Sequence, residues 1–156
     1  MSLEKFLILA KKNTYANENI KKQPSSRLKS NDYEFSQITD GDNYLYHDTY
    51  FGGENFIGEE VVYKNEQPIW GMNYYGNTID KNLSEEAMDN ALRPALMLVG
   101  NDNSVLPVRG PKSFTNKNYK YSFESKGTIE NFSGTEKIFK NDNLIFVLHC
   151  HGGLIK

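Results

Sequence analysis

The stretch FIGEEVVYKNEQPIWGMNYYG returns near the end of the chain, altered but in step, as FSGTEKIFKNDNLIFVLHCHG. Phe56, Gly58 and Glu60 match Phe132, Gly134 and Glu136. VYKNE matches IFKND, and Ile69, Trp70, Met72 and Gly76 match Ile145, Phe146, Leu148 and Gly152. With a shift of one residue, YLYHDTY also resembles YKYSFES. Identity or close similarity at so many ordered positions reads as an internal duplication. A helical pattern precedes each copy, so each unit reads as a helix followed by three or four antiparallel strands. Two such units packed about an approximate twofold axis make an α+β fold: a mainly antiparallel sheet with one face covered by two helices. The chain is read as a single domain over residues 1–156, with halves of about 1–78 and 79–156.

Local signals agree with this plan. Leu3, Phe6, Leu7 and Ala10 recur at helical spacing, with Ser2 placed to cap and Glu4 in the first turn. Residues from about 14 to 31 are polar and carry Pro24, Ser25, Ser26 and several lysines, the composition of a flexible loop. DYEFSQI and NYLYHDTYF alternate large and polar residues around TDGD and read as a hairpin. EEVVYK and QPIWGMNYYG flank Asn65 and Glu66, and Asn is the non-glycine residue that best tolerates the positive φ of a tight turn. Ser84 is read as the cap of a second helix whose apolar face is Met88, Ala91, Leu92, Ala95, Leu96 and Val99, with Pro94 expected to kink or shorten it. NYKYSFES and a closing hairpin around Asn141-Asp142 complete the chain.

A length of 156 residues is enough to bury a core without staples. Acids and bases are intermixed and the net charge is -2, which leaves no electrostatic footprint for nucleic acid or an anionic membrane. Cys150 is the only cysteine, so no internal disulfide forms and no zinc ribbon can be built, which suits a cytoplasmic location. The opening MSLEKFLILAKK has an acid before its apolar run and no small-residue cleavage site, so it reads as a helix rather than a signal peptide. No run approaches the length of a membrane span.

The run YFGGENFIGEEVVYKNEQPIWGMNYYG, with RGPKSF and the terminal HGGLIK, closely resembles the DUF5680 family, a domain of unknown function. The resemblance implies a sensor or regulatory role in bacteria, because members of that family are often found behind an XRE-type helix-turn-helix domain in transcription regulators. This chain departs from that arrangement by starting directly at the helix that contains Leu3, and reads as a free-standing member or as one trimmed ahead of that helix. The resemblance supplies no catalytic residues.

Strand alternation sorts the matched strands into faces. Trp70, Met72 and Tyr74 fall on one side with Phe146, Leu148 and Cys150, and that side is expected to be core. Asn73, Tyr75, His149 and His151 fall on the other, where hydrogen-bonding groups concentrate, and a ligand site is expected there with Glu60, Glu136 or Arg109 at its rim. His149 and His151, with His47, have a spacing that metal sites use, but no carboxylate accompanies them and they read as edge histidines. Glu60 and Glu136 read as turn caps or as partners of Lys64 and Lys140 on the solvent face, or as a carboxylate pair for acid/base work. Cys150 reads as a buried, inert thiol. No cofactor or metal is expected. The functional expectation is a binding module for a small molecule or a partner protein, with a small hydrolase or isomerase and a homodimerisation domain as rivals.

Overall fold

The computed structural model describes residues 1–80 and 84–156, without the side chain of Ser84, so the capping role expected of Ser84 lies outside the described residues. Helix α1 spans Leu3–Lys12. The Ser2 hydroxyl accepts from the Lys5 amide at its start, and Phe6, Leu7, Ala10 and Lys11 turn inward. Phe6 packs on Phe35 and Tyr44, with ring centroids 5.9 and 5.3 Å away.

Strands β1 (Asn31–Thr39) and β2 (Asp42–Gly52) are joined through Asp40 and Gly41, both at positive φ, and β3 (Phe56–Lys64) and β4 (Gln67–Thr78) through Asn65 and Glu66 at φ 49° and 68°. These are two-residue turns whose backbone twist matches that of the flanking strands. Helix α2 follows over residues 84–96, α-helical at Ser84–Ala87 and Arg93–Leu96 and widened to a π-helical turn over Met88–Leu92. The interruption expected at Pro94 therefore takes the form of a π turn just ahead of it. Proline has no N–H to offer the Asn90 carbonyl, and that carbonyl accepts instead from the Asn116 side chain at 2.9 Å. Strands β5 (Ser113–Asn116), β6 (Tyr119–Thr128), β7 (Asn131–Lys140) and β8 (Asn143–Leu154) close the chain, with Asn141 and Asp142 at φ 49° and 64° between the last two.

The eight strands form one antiparallel sheet in the order β1-β2-β3-β4-β8-β7-β6-β5. Its centre is the β4–β8 pair, where Tyr74 lies opposite Cys150, Asn73 opposite His151 and Tyr75 opposite His149. Register shifts fall between Val62 and Tyr63 in one hairpin and between Ile138 and Phe139 in the other. One face of the sheet carries the core, with Tyr46, Val62, Trp70, Met72, Tyr121, Phe123, Ile138 and Leu148 buried. The opposite face is largely uncovered. This is the α+β architecture, mostly antiparallel with two helices, that the sequence predicts.

The stretch between α1 and β1 has neither helix nor strand, as its composition predicts, but it is tied down. Thr14 and Ala16 are buried on the core side. The Gln23 amide donates to the Asp32 carbonyl, and Ser26 and Ser30 donate to the Asp32 carboxylate. The chain thus wraps the outer edge of β1 as a strap and covers backbone groups that an edge strand would otherwise present.

Candidate functional site

Four of the expected site residues come together. Asn73, Tyr75, His149 and His151 are cross-strand neighbours on β4 and β8, and all four are exposed on the uncovered face. Thr135 lies 3.4 Å from His149 Nδ1. The hollow beside Asn73 and the C-terminal residues, about 680 Å³, lies open to solvent. Among the described residues no three His, Cys, Asp or Glu side chains are grouped as a metal site.

Glu60, Glu136 and Arg109 are not at the rim of that face. Glu60 pairs in register with Met72 and Glu136 with Leu148, so strand alternation turns both carboxylates to the covered side, where both are 0% exposed. The expected solvent-face partners are elsewhere: Lys64 pairs with Asp42 and Lys140 with Glu86. Glu60 takes Lys11 of α1, and Glu136 takes Arg109 through two bonds of 2.8 and 3.0 Å plus a 2.6 Å bond from the Tyr121 hydroxyl. Each buried carboxylate is thus matched by a buried cation, as a low-dielectric interior requires. Tyr15 lies between the two pairs: its hydroxyl accepts from Lys11 Nζ, and the Arg109 guanidinium sits 5.5 Å from its ring centre. Burial pulls the Lys11 ammonium below its ordinary value, with Glu60 opposing.

Asp48 is the odd charge in this interior. It alternates inward with Tyr44 and Tyr46, is 2% exposed, and makes no ion pair among the described residues. Among the described residues its carboxyl has one hydrogen-bond partner, the Tyr74 hydroxyl, which donates to Oδ1 at 2.6 Å. Burial, and then the charge of Glu60, push the carboxyl up to about 8, against the pull of Tyr74, Lys11 and Arg109. At neutral pH the side chain therefore holds its proton. Gly58 makes the contact with Tyr74 possible, because a Cβ there would collide with the Tyr74 hydroxyl and ring.

Asp48, Tyr74 and Arg109 line a pocket of about 670 Å³ between the covered face of the first four strands, α2 and the strap. Tyr33, Tyr50 and Phe56 give it aromatic walls, and Met88, Leu92 and Leu96 of α2 give it an apolar roof. Glu18, Lys22, Glu85 and Arg93 add charged groups to the lining. The strap is held by Asp32 on the opposite side of the sheet. Burial would raise the Asp32 carboxyl, but hydrogen bonds from Ser26, Ser30, Thr49 and His47 outweigh it and keep the group ionised far below the usual carboxylate range. His47 is thereby occupied at 2.9 Å from Asp32. Cys150 is buried, and burial lifts its thiol to about 12, which leaves it protonated and unreactive.

This pocket, with Asp48 at its base, was not among the expected sites. The available signal was an acid in the inward phase of YLYHDTYF, where Tyr44 and Tyr46 mark the buried side.

Comparison with known proteins gives one match: the family model described as a domain of unknown function, DUF5680, fits residues 48–155. No curated protein and no solved structure matches the chain. No helix among the described residues is long and apolar enough to cross a membrane.

Proposed function

The chain belongs to the DUF5680 family, whose description names no activity, and we propose from the pocket itself that the domain is a non-enzymatic module that binds a small molecule, in the manner of a sensor. The observation that carries this reading is the pocket between sheet and α2: a cleft open on one side, with aromatic and apolar walls and several polar and charged groups in its lining, Asp48 and Tyr74 foremost. The cations and carboxylates deeper in the interior are already paired, which suits a scaffold more than a reaction centre.

The same proposal covers the architecture: two related helix-plus-strands halves about a pseudo-twofold axis through the β4–β8 pair. Three facts support it. The axis would pass at Tyr74 and Cys150, which are both register partners and matched residues of the two stretches. The two register shifts fall at matched positions. Gly52 and Gly127 adopt φ of 98° and 93° at the same place in their hairpins.

A second reading, a small hydrolase or isomerase, is favoured by one feature. A carboxyl that titrates near 8 inside a pocket can give and take a proton at physiological pH. In that reading Asp48, rather than Glu60, Glu136 or the histidines, is the acid/base group.

A thermal-shift screen of small aromatic compounds on the wild type and on Met88→Trp, which fills the roof, tests the binding reading. Compounds that bind in the pocket raise the melting temperature of the wild type and not of Met88→Trp. Equal shifts in both proteins would place binding elsewhere. Turnover of a bound compound that disappears in Asp48→Asn while binding persists would replace the first reading by the second.

A further inference from the structure

We infer that the pocket under α2 takes a small organic cation, an amine or quaternary ammonium group, seated on Asp48 between aromatic walls. The inference rests on the ligand-binding reading and specifies its chemistry. The first argument is the balance of charge in the lining. Arg109 is committed to Glu136 through Nε and Nη2, and Arg93 to Asp89. Lys22 donates to the Asn31 side chain and lies 5.5 Å from the ring centre of Tyr50. Among the described residues Asp48, Glu18 and Glu85 make no ion pair. With Asp48 protonated, the lining presents two exposed acids without an ion pair, Glu18 and Glu85, against one lysine, so it is weakly negative, and a cation that ionises Asp48 meets a matching charge.

The second argument is the walls. Aromatic faces carry negative potential and attract cations, most strongly where water is excluded. Tyr15, Tyr33, Tyr50, Phe56 and Tyr74 all face the pocket, and the protein already uses this chemistry there, since Lys22 lies over Tyr50 and Arg109 over Tyr15. An anionic ligand would add negative charge beside Asp48, whose ionisation the field of Glu60 already opposes.

Seating a cation on Asp48 requires the carboxylate, so its proton leaves to solvent as the ligand enters. The groups that act on Asp48 are Glu60 of β3, Tyr74 of β4, Lys11 of α1 and Arg109 of the loop before β5, with Tyr33 opposite it on β1. The two ion pairs, Lys11–Glu60 and Arg109–Glu136, stay neutral as units, so the proton exchanged is that of Asp48. Affinity for a permanent cation then rises about tenfold per pH unit until Asp48 is ionised, and levels off above about 8.

The experiment is isothermal titration calorimetry of the full chain with benzyltrimethylammonium, benzyl alcohol and benzoate from pH 6 to 9. We expect the cation to bind tightest and to release a proton below pH 8, seen as heat that depends on the buffer. Asp48→Asn should weaken the cation at least tenfold at pH 8.5 and flatten the pH profile. Tyr50→Leu should weaken the cation more than benzyl alcohol. Benzoate binding as tightly as the cation, a cation affinity that Asp48→Asn leaves unchanged, or no binding of the cation at millimolar concentration would each overturn the inference. Benzyl alcohol or benzoate binding that Met88→Trp abolishes, with the cation silent, would sink the cation and keep the binding pocket. Hits from the broader screen that ignore Met88→Trp would remove the pocket reading itself.

Discussion

At the scale of single residues, Asp48 concentrates the tension of the molecule. Its carboxyl is held protonated at neutral pH by burial and by Glu60, while the unfolded chain ionises it near 3.8. Between those values the native state holds a proton that the unfolded state has lost, so the contribution of Asp48 to stability is highest below pH 3.8. It declines as pH rises toward 8 and is constant beyond. Asp48→Asn removes that decline while keeping an acceptor for Tyr74. Urea titrations across pH should show the variant and the wild type equal near pH 4. By pH 8 the variant should be the more stable, by on the order of a few kcal/mol. A gap that stays the same at every pH would mean that Asp48 ionises normally.

At the scale of elements, the strap and α2 decide whether there is a pocket at all. The strap supplies Tyr15, Glu18 and Lys22 to one wall, yet its anchor lies on the other side of the sheet, where Ser26 and Ser30 close on Asp32. Asp32→Ala leaves several donors buried without their acceptor and should cost about 3 kcal/mol. Trypsin should then cut first at Lys21, Lys22, Arg27 or Lys29 under native conditions, and ligand binding in the pocket should weaken with it. Unchanged cleavage kinetics would show that other contacts hold the strap. Because Asp32 is held ionised in the fold, its stabilisation is present above the ordinary carboxylate range and lost as pH falls through and below it. In α2 the π turn over Met88–Leu92 immediately precedes the proline, and Met88 and Leu92 of that turn are part of the pocket roof. A helix ladder broken by Pro94 thus lies where the pocket needs its roof.

At the scale of the whole molecule, the two halves of the sheet are joined by β4 and β8 and fastened by Trp70. The indole belongs to β4, but its ring stacks on Phe132 of β7 at 5.9 Å and its Nε1 donates to the Ile129 carbonyl at 3.0 Å. It is 0% exposed. Trp70→Ala removes both contacts and leaves a cavity, so the loss should be about 3–5 kcal/mol. Since the contact crosses the middle of the sheet, far-ultraviolet and near-ultraviolet circular dichroism should still report one coincident transition, shifted to lower temperature. Two separated transitions would show that the halves fold independently.

Much of this was legible in the sequence because it depends on neighbours along the chain. The turn at Asn65-Glu66, the inward phase of Trp70, Met72 and Tyr74, the cap at Ser2 and the burial of Cys150 all follow from local spacing and side-chain volume. Alternation also puts Asn73 and Tyr75 on one face of their strand and His149 and His151 on one face of theirs, while the pairing of β4 with β8, far apart in sequence, makes them neighbours. What alternation by itself cannot say is which face of a sheet is enclosed, or which charges meet beneath it. Glu60 and Glu136 looked like surface partners of Lys64 and Lys140 because those lysines are close in sequence. The inward phase of the strands and the long reach of Lys11 and Arg109 settled the matter differently. The chain by itself determined the elements, their turns and the antiparallel α+β class. Only the tertiary structure decided that the helices and a strap roof one face into a pocket and leave the other bare, because enclosure depends on residues far apart in sequence arriving at one place.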